Sequence, residues 1–301
     1  MKFMDAVIET ASSVDHKPTL VVAPVREKST LSILGDPLVI NMVTPFVIVA
    51  GHNAKALCEH ALGLGLECMK VNEDDDKKIF SLSYEMVLEG DAQILMQGDM
   101  ANTIFRDTAL LNPGFSDISR TASHVFILEG GQPRGPFMVT DGMINHAPSL
   151  KQKIGILRNA LDLSRVLGLV RPKVAALSPI EYVNPSIPST VDAAVLSRMG
   201  DRGQFGDAII DGPIDIDCAV SPSAAQRKGI SSDVTGMVDI YLVPGTEAGS
   251  SFVQFLVLLG GMSAAGLIMG MKAPCIINTP FVTRSNKVVE IAMAKLLLDL
   301  G

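Results

Sequence analysis

"SSFVQFLVLLGGMSAAGLIMGM", residues 250–271, holds no charged side chain, and the uncharged run extends from Ala248 to Met271 between Glu247 and Lys272. A run of that length is long enough for a membrane-spanning helix. Its internal chemistry argues against one. Gly260-Gly261 interrupts it near the middle, where a helix stops more readily than it continues. Upstream, Phe252, Phe255, Leu256 and Leu259 recur at helical spacing, while Gly249 and Gln254 break any lipid-facing surface. Downstream, "AAGLIMGM" reads as a short buried strand and "KAPCIINTP" as another, approached by a turn. Neither flank carries a Lys/Arg excess or an aromatic belt. The stretch therefore predicts a buried helix, a glycine turn and a buried strand.

Composition supports a large aliphatic interior. Of 301 residues, 48% are hydrophobic and 19% charged, with aromatics at 5% and no tryptophan, so the core has to be built from Val, Ile, Leu, Met and Ala. Branched aliphatics in continuous runs suit parallel strands covered on both faces. The length exceeds the usual single core and points to two α/β lobes. A net charge of −7 argues against nucleic acid as a partner. Cys58, Cys68, Cys218 and Cys275 show no CxxC spacing and are expected to be reduced, buried thiols of a cytosolic protein. "MKFMDAVIETASS" lacks a basic start followed by an unbroken apolar segment, so a cytoplasmic location without secretion or membrane anchoring is expected.

Strand-like and helix-like runs alternate along the chain. "TLVVAPV", "FVIVAG", "AQILMQG", "ASHVFILEG" and "PFMVT" read as strands, with "NAKALCEHALGLGL" and "NTIFRDTALLN" as helices between them. "EDDDKK" reads as a solvated loop or helix start. From Ser149 the pattern restarts with "SLKQKIGILRNALDLSRVLGL", an amphipathic helix capped by Ser149 and ended near Gly168. "PKVAALS", "FGDAIIDG" and "VDIYLVPG" follow as strands, and "TVDAAVLSRMG" as a helix that Ser189 or Thr190 could cap. Such alternation implies right-handed crossovers and mostly parallel sheets.

Ligands of these sheets gather at the carboxyl ends of strands, and three loops qualify. In "VPGTEAGSS" a strand gives way to a helix start at Gly249, Ser250 and Ser251, whose free N–H groups suit an anion. In "IIDGPIDIDCAVS", Asp211, Asp215 and Asp217 could hold a divalent metal or serve as turn and cap residues, the second being the commoner use. In "NTPFVTRSNK", Thr279, Thr283, Arg284, Ser285 and Lys287 place hydroxyls and cations together. His124, set among apolar residues, reads as a core or rim residue rather than a base. There is no Walker, GxGxxG, GxSxG or HExxH pattern.

Taken together, "VTDGMINHAPSLKQKIGILRNALDLSRVLGL", "VAALSPIEYVNPSIPSTVDAAVLSRMGDRGQ", "IIDGPIDIDCAVSPSAAQRKGI", "VDIYLVPGTEAG", "ILMQGDMANTIF" and "SRTASHVFI" resemble the phosphate acetyl/butyryltransferase family, and its butyryl-type members most. The resemblance implies transfer of a short acyl group between coenzyme A and inorganic phosphate, with no cofactor beyond these substrates and no metal. It also implies a homodimer of two α/β lobes with mostly parallel sheets, similar to the isocitrate and isopropylmalate dehydrogenases. The first lobe would take residues 1–140 and 280–301, and the second 141–279.

Several family positions are altered. The family's Ser-Arg pair falls on Thr279 and Pro280, and Thr283-Arg284 reproduces it four residues later. The family's E-A-G-N reads Glu247-Ala248-Gly249-Ser250, with Gln254 in place of a lysine, and the lysine of its M-K-G is Gln97. On this reading Arg284 binds phosphate and Thr283 or Thr279 polarises the acyl oxygen. Gly249, Ser250 and Ser251 assist from a helix start, and Arg120 and Arg106 form an opposing wall. The alternative is a catalytically silent relative that binds coenzyme A or acyl phosphate as a sensor or partner.

Overall fold

The computed structural model describes residues 2–117, 119–130 and 135–298, with the side chain of Arg284 outside the description. Its strands are β1 Thr19–Val25, β2 Thr44–Val49, β3 Glu67–Lys70, β4 Ile94–Gln97, β5 Ser123–Glu129, β6 Phe137–Thr140, β7 Lys173–Leu177, β8 Ile209–Ile214, β9 Ile240–Leu242, β10 Ser263–Met269 and β11 Cys275–Ile276. The chain forms two compact units, one of residues 1–122 with 265–301 and one of residues 123–264.

The first unit orders its strands β3-β2-β1-β4-β11-β10. All neighbouring pairs are parallel except β10 with β11. The six residues from Leu20 to Val25 on β1 are buried, as a central parallel strand requires. Leu20, Val21, Val22 and Val25 each contribute roughly 1.5–3 kcal/mol of transfer free energy. Helix Arg284–Leu298 belongs here because its Ile291, Ala292, Met293 and Ala294 are wholly buried and Lys295 Nζ donates to Val14 O at 2.8 Å.

The second unit orders its strands β5-β6-β9-β7-β8, parallel except for the β5–β6 pair. The unit boundaries differ from the expected 140 and 279. β5 pairs with β6, which pairs with β9, so the second unit opens at Ser123; β11 pairs with β4, which carries the return to the first unit back to Ala265. Ser149 caps helix Leu150–Val166 through a capping box with Gln152, as its sequence predicts. Ser189 and Thr190 instead lie inside helix Pro188–Asp201, because Pro188 takes the first helical position.

The opening stretch forms helix Thr246–Leu258, a glycine turn and β10, with one correction. The helix buries Gly249 and Val253 but leaves Phe255, Leu258 and Leu259 at 62%, 64% and 75% exposure, so one apolar face meets solvent. Among the described residues no helix is long and apolar enough to cross a membrane. The expectation of four reduced cysteines is also corrected: Cys58 and Cys68, whose Cα atoms lie 5.9 Å apart, are bonded, and Cys218 and Cys275 are free and buried.

Candidate functional site

β4 and β11 run side by side and parallel in the first unit, so the loops after them emerge at the same end of the sheet. After β4, Gly98 approaches β1 so closely that a Cβ there would lie 2.1 Å from Pro24 O, and the next N–H, of Asp99, donates to that same carbonyl at 2.6 Å. The Asp99 carboxylate accepts from Arg26 N, Glu27 N and Thr30 Oγ1 at 2.6–2.9 Å, fixing the β1 and β4 loops to one another. Helix Asn102–Phe105 follows, continued by a π-helical turn, Arg106–Leu110.

After β11 the chain passes through Ile277, Asn278 and Thr279 before helix Arg284–Leu298. Asn278 Nδ2 donates to Gly98 O at 2.7 Å, and Asn102 Nδ2 donates to Asn278 O at 2.9 Å. Lys287, one turn into the helix, points inward and donates to Ile277 O at 2.5 Å and to Glu290 Oε2 at 2.7 Å. Glu290 also accepts from Gly266 N at 3.0 Å, and burial holds its carboxyl above the ordinary range. Lys287 is therefore committed to a carbonyl and a carboxylate and is not a loose anion-binding cation.

Thr279 sits at the centre of this loop. It is 5% exposed, and its Oγ1 has no hydrogen-bond partner among the described residues. An unpaired buried hydroxyl costs roughly 1–3 kcal/mol, a cost that a water or a ligand oxygen accepting from it would offset. Thr283 differs: it is exposed, its carbonyl accepts from Asn286 N and Lys287 N at the helix start, and its Oγ1 lies 3.0 Å from Ser285 Oγ. Arg284 opens the helix, and its side chain lies outside the described residues. Arg106 is exposed and pairs with its neighbour Asp107 at 3.1 Å, but its own N–H donates to Asn102 O, which joins its turn to the Thr279 loop. Arg120 is exposed on a bend where its N–H donates to Asp117 O at 2.9 Å.

Gly249, Ser250 and Ser251 lie in the second unit, one turn further into their helix than the sequence suggests. The helix begins at Thr246, whose N–H donates to Asn145 O at 3.2 Å, and Gly249 N already donates to Gly245 O. The free helix-start donors are thus displaced from 249–251. Gly249 allows close packing, since a Cβ would lie 2.6 Å from Asp141 O. Ser250 accepts from Gln254 Nε2 at 2.8 Å, and Ser251 is exposed.

That packing partner, the loop after β6, escaped sequence reasoning. Asp141 is 1% exposed, and its carboxylate accepts from the backbone N–H groups of His124, Met143, Ile144 and Asn145 and from Asn145 Nδ2, at 2.6–3.1 Å. An Asp-Gly pair closing a strand was the available signal. His124, buried with its ring tilted against that of Phe126 at a centroid distance of 4.1 Å, is a core residue as read.

The three aspartates of the metal hypothesis have structural partners. Asp211 accepts from Gly212 N, Asp215 caps helix Ile216–Val220, and Asp217 pairs with Lys228 at 2.9 Å. Glu181, Asp217 and Cys218 bring ligand atoms within 4.8 Å of one another, but Lys228 lies among these acids, paired also with Glu181 and 3.9 Å from Asp215. Lys228 holds the Glu181 and Asp217 carboxyls below their ordinary range, and their hydrogen bonds raise its own pKa. Burial and the adjacent acids push the Cys218 thiol up to about 11, leaving it protonated and a poor metal ligand. The turn-and-cap role fits these residues.

The pattern of the phosphate acetyl/butaryl transferase family matches residues 2–295. Phosphate butyryltransferase of Clostridium acetobutylicum is 30% identical over 297 residues, covering 98% of each chain. Phosphate acetyltransferase of Rickettsia felis is 31% identical over 283 residues, 93% of this chain and 80% of that one. In structure, a branched-chain phosphotransacylase from Enterococcus faecalis V583 superposes with a TM-score of 0.76 at 26% identity, over 93% of this chain and 99% of its own. Matched over nearly its whole length in sequence and in fold, the chain belongs to the phosphate acetyl/butaryl transferase family.

Proposed function

We propose that this protein is an acyltransferase that moves a butyryl or similar short acyl group between coenzyme A and inorganic phosphate. Phosphate oxygen attacks the thioester carbonyl, the C–S bond breaks, and the proton released from hydrogen phosphate ends on the departing thiolate. With a thiol pKa of about 8.5, that leaving group needs only modest help. The demanding step is the tetrahedral oxyanion, which requires a donor already in place.

The observation that carries this reading is the Thr279 hydroxyl, buried at a strand end and lacking a partner among the described residues. Its O–H donates to the acyl oxygen as negative charge develops there. Thr283, whose hydroxyl is exposed and already pairs with Ser285 Oγ at 3.0 Å, is the weaker of the two candidate hydroxyls. Arg284 supplies the phosphate contact on sequence grounds, and Arg106 lies on a turn joined to the same loop. Arg120 and residues Gly249, Ser250 and Ser251 remain substrate-binding candidates on resemblance. Gln97 and Gln254 are neutral where the resemblance places lysines, and this favours the silent, ligand-binding alternative.

Measuring coenzyme A release from butyryl- and acetyl-coenzyme A, with and without phosphate, separates the two. The enzyme reading predicts phosphate-dependent release, and a rate equal to buffer with both thioesters contradicts it. A homodimer is supported by the exposed Phe255, Leu258 and Leu259 face, and light scattering tests it. These substrates support a cytoplasmic location, which fractionation tests.

A further inference from the structure

We propose that Gln97 is a positioning residue that sets the Thr279 hydroxyl through a closed ring of amides. Gln97, the last residue of β4, is wholly buried. Its Oε1 accepts from Asn278 N at 3.2 Å, and its Nε2 donates to Asn102 Oδ1 at 2.9 Å and to Met100 O at 2.8 Å. Asn102 Nδ2 donates to Asn278 O at 2.9 Å and closes the ring.

The ring acts on Thr279 because peptide units are rigid planes. The Asn278 carbonyl shares a plane with Thr279 N, so Asn102 holds the plane that leads into Thr279. The Ile277 carbonyl shares a plane with Asn278 N, and that plane is held at one end by Lys287 and at the other by Gln97. Two successive planes are therefore anchored by side chains, leaving Thr279 little backbone freedom.

A lysine at position 97 could not close this ring. An ammonium only donates, so it could serve Met100 O and Asn102 Oδ1 but could not accept from Asn278 N. The side-chain amide does both.

The inference rests on the reading of Thr279 as the acyl-oxygen donor. Gln97→Met keeps the side-chain length, Asn102→Ala opens the ring from an exposed position, and Gln97→Lys installs the cation. Steady-state phosphate-dependent coenzyme A release from butyryl-coenzyme A is measured for each variant, and for Gln97→Met combined with Thr279→Val. A misplaced reacting group loses rate rather than affinity, so Gln97→Met and Gln97→Lys are expected to lower kcat at least about tenfold with KM for the thioester within about twofold. Combined with Thr279→Val, Gln97→Met is expected to cost less than about twofold more, since both act through one hydroxyl. Amide hydrogen exchange at Asn278 is expected to quicken at least about tenfold in Gln97→Met and in Asn102→Ala.

Gln97→Lys exceeding the parent rate overturns the proposal, as does full multiplicativity with Thr279→Val or unchanged exchange at Asn278 in both ring variants. Should Thr279→Val alone leave the rate unchanged, the reading of Thr279 falls, and the exchange measurement decides separately whether Gln97 holds the loop.

Discussion

Two strand ends are fastened in opposite ways. After β6, the Asp141 carboxylate collects five N–H donors and has nothing left to offer a ligand. After β11, neutral amides and one lysine hold the main chain and leave the Thr279 hydroxyl unmatched among the described residues. A saturated polar cluster fixes a fold, because every donor has been desolvated and repaid in place. An unsaturated one, buried at a sheet's carboxyl end, is where an incoming oxygen fits. The contrast separates scaffold from chemistry within one chain.

Four substitutions test that separation. Removing the saturated acceptor has the largest effect: Asp141→Ala leaves buried N–H groups unpaired and is expected to cost about 4 kcal/mol or more, read as a fall in the urea midpoint. Gly249→Ala pushes a methyl group to within 2.6 Å of Asp141 O and is expected to cost about 2 kcal/mol, read in the urea midpoint. A drop in kcat/KM at unchanged stability would instead make Gly249 a substrate contact. Arg284→Ala is expected to lower kcat/KM about tenfold, mainly through KM for phosphate, from losing one charge-assisted contact. An unchanged value removes Arg284 from the mechanism.

The smallest effect concerns pH. Glu181 and Asp217 have native pKa values below their ordinary 4.5 and 3.8, chiefly through hydrogen bonds to Lys228. A depressed carboxyl contributes stability above its unfolded pKa and loses it as pH falls toward the lower native value. Lys228→Met should therefore flatten the acid limb of a urea-midpoint profile below about pH 4.5. An unaltered slope would mean that these pairs do not couple to folding.

Much of the fold was legible in sequence because its signals are local. Ser149 with Gln152 marks a helix start, and the β-branched run "TLVVAPV" marks a central strand. The start of helix Thr246–Leu258 was misplaced because Gly245 caps it without a side-chain hydrogen bond, leaving no polar cue. The exposure of Phe255 and Leu259 was unreadable, since spacing gives the apolar face and not what covers it. Thr279 was found through its place after a buried strand, whereas the ring joining Gln97, Asn102 and Asn278 spans residues far apart in the chain. Such a ring leaves no periodicity, and Gln97 registered in sequence only as a missing charge.

The central claim is that the buried Thr279 hydroxyl stabilises the acyl oxyanion. Comparing phosphate-dependent coenzyme A release by the parent protein, Thr279→Ser and Thr279→Val tests it most directly. The account predicts that Thr279→Val loses about a hundredfold in kcat without loss of stability, while Thr279→Ser keeps most of the rate. Equal rates for the parent and Thr279→Val would contradict it.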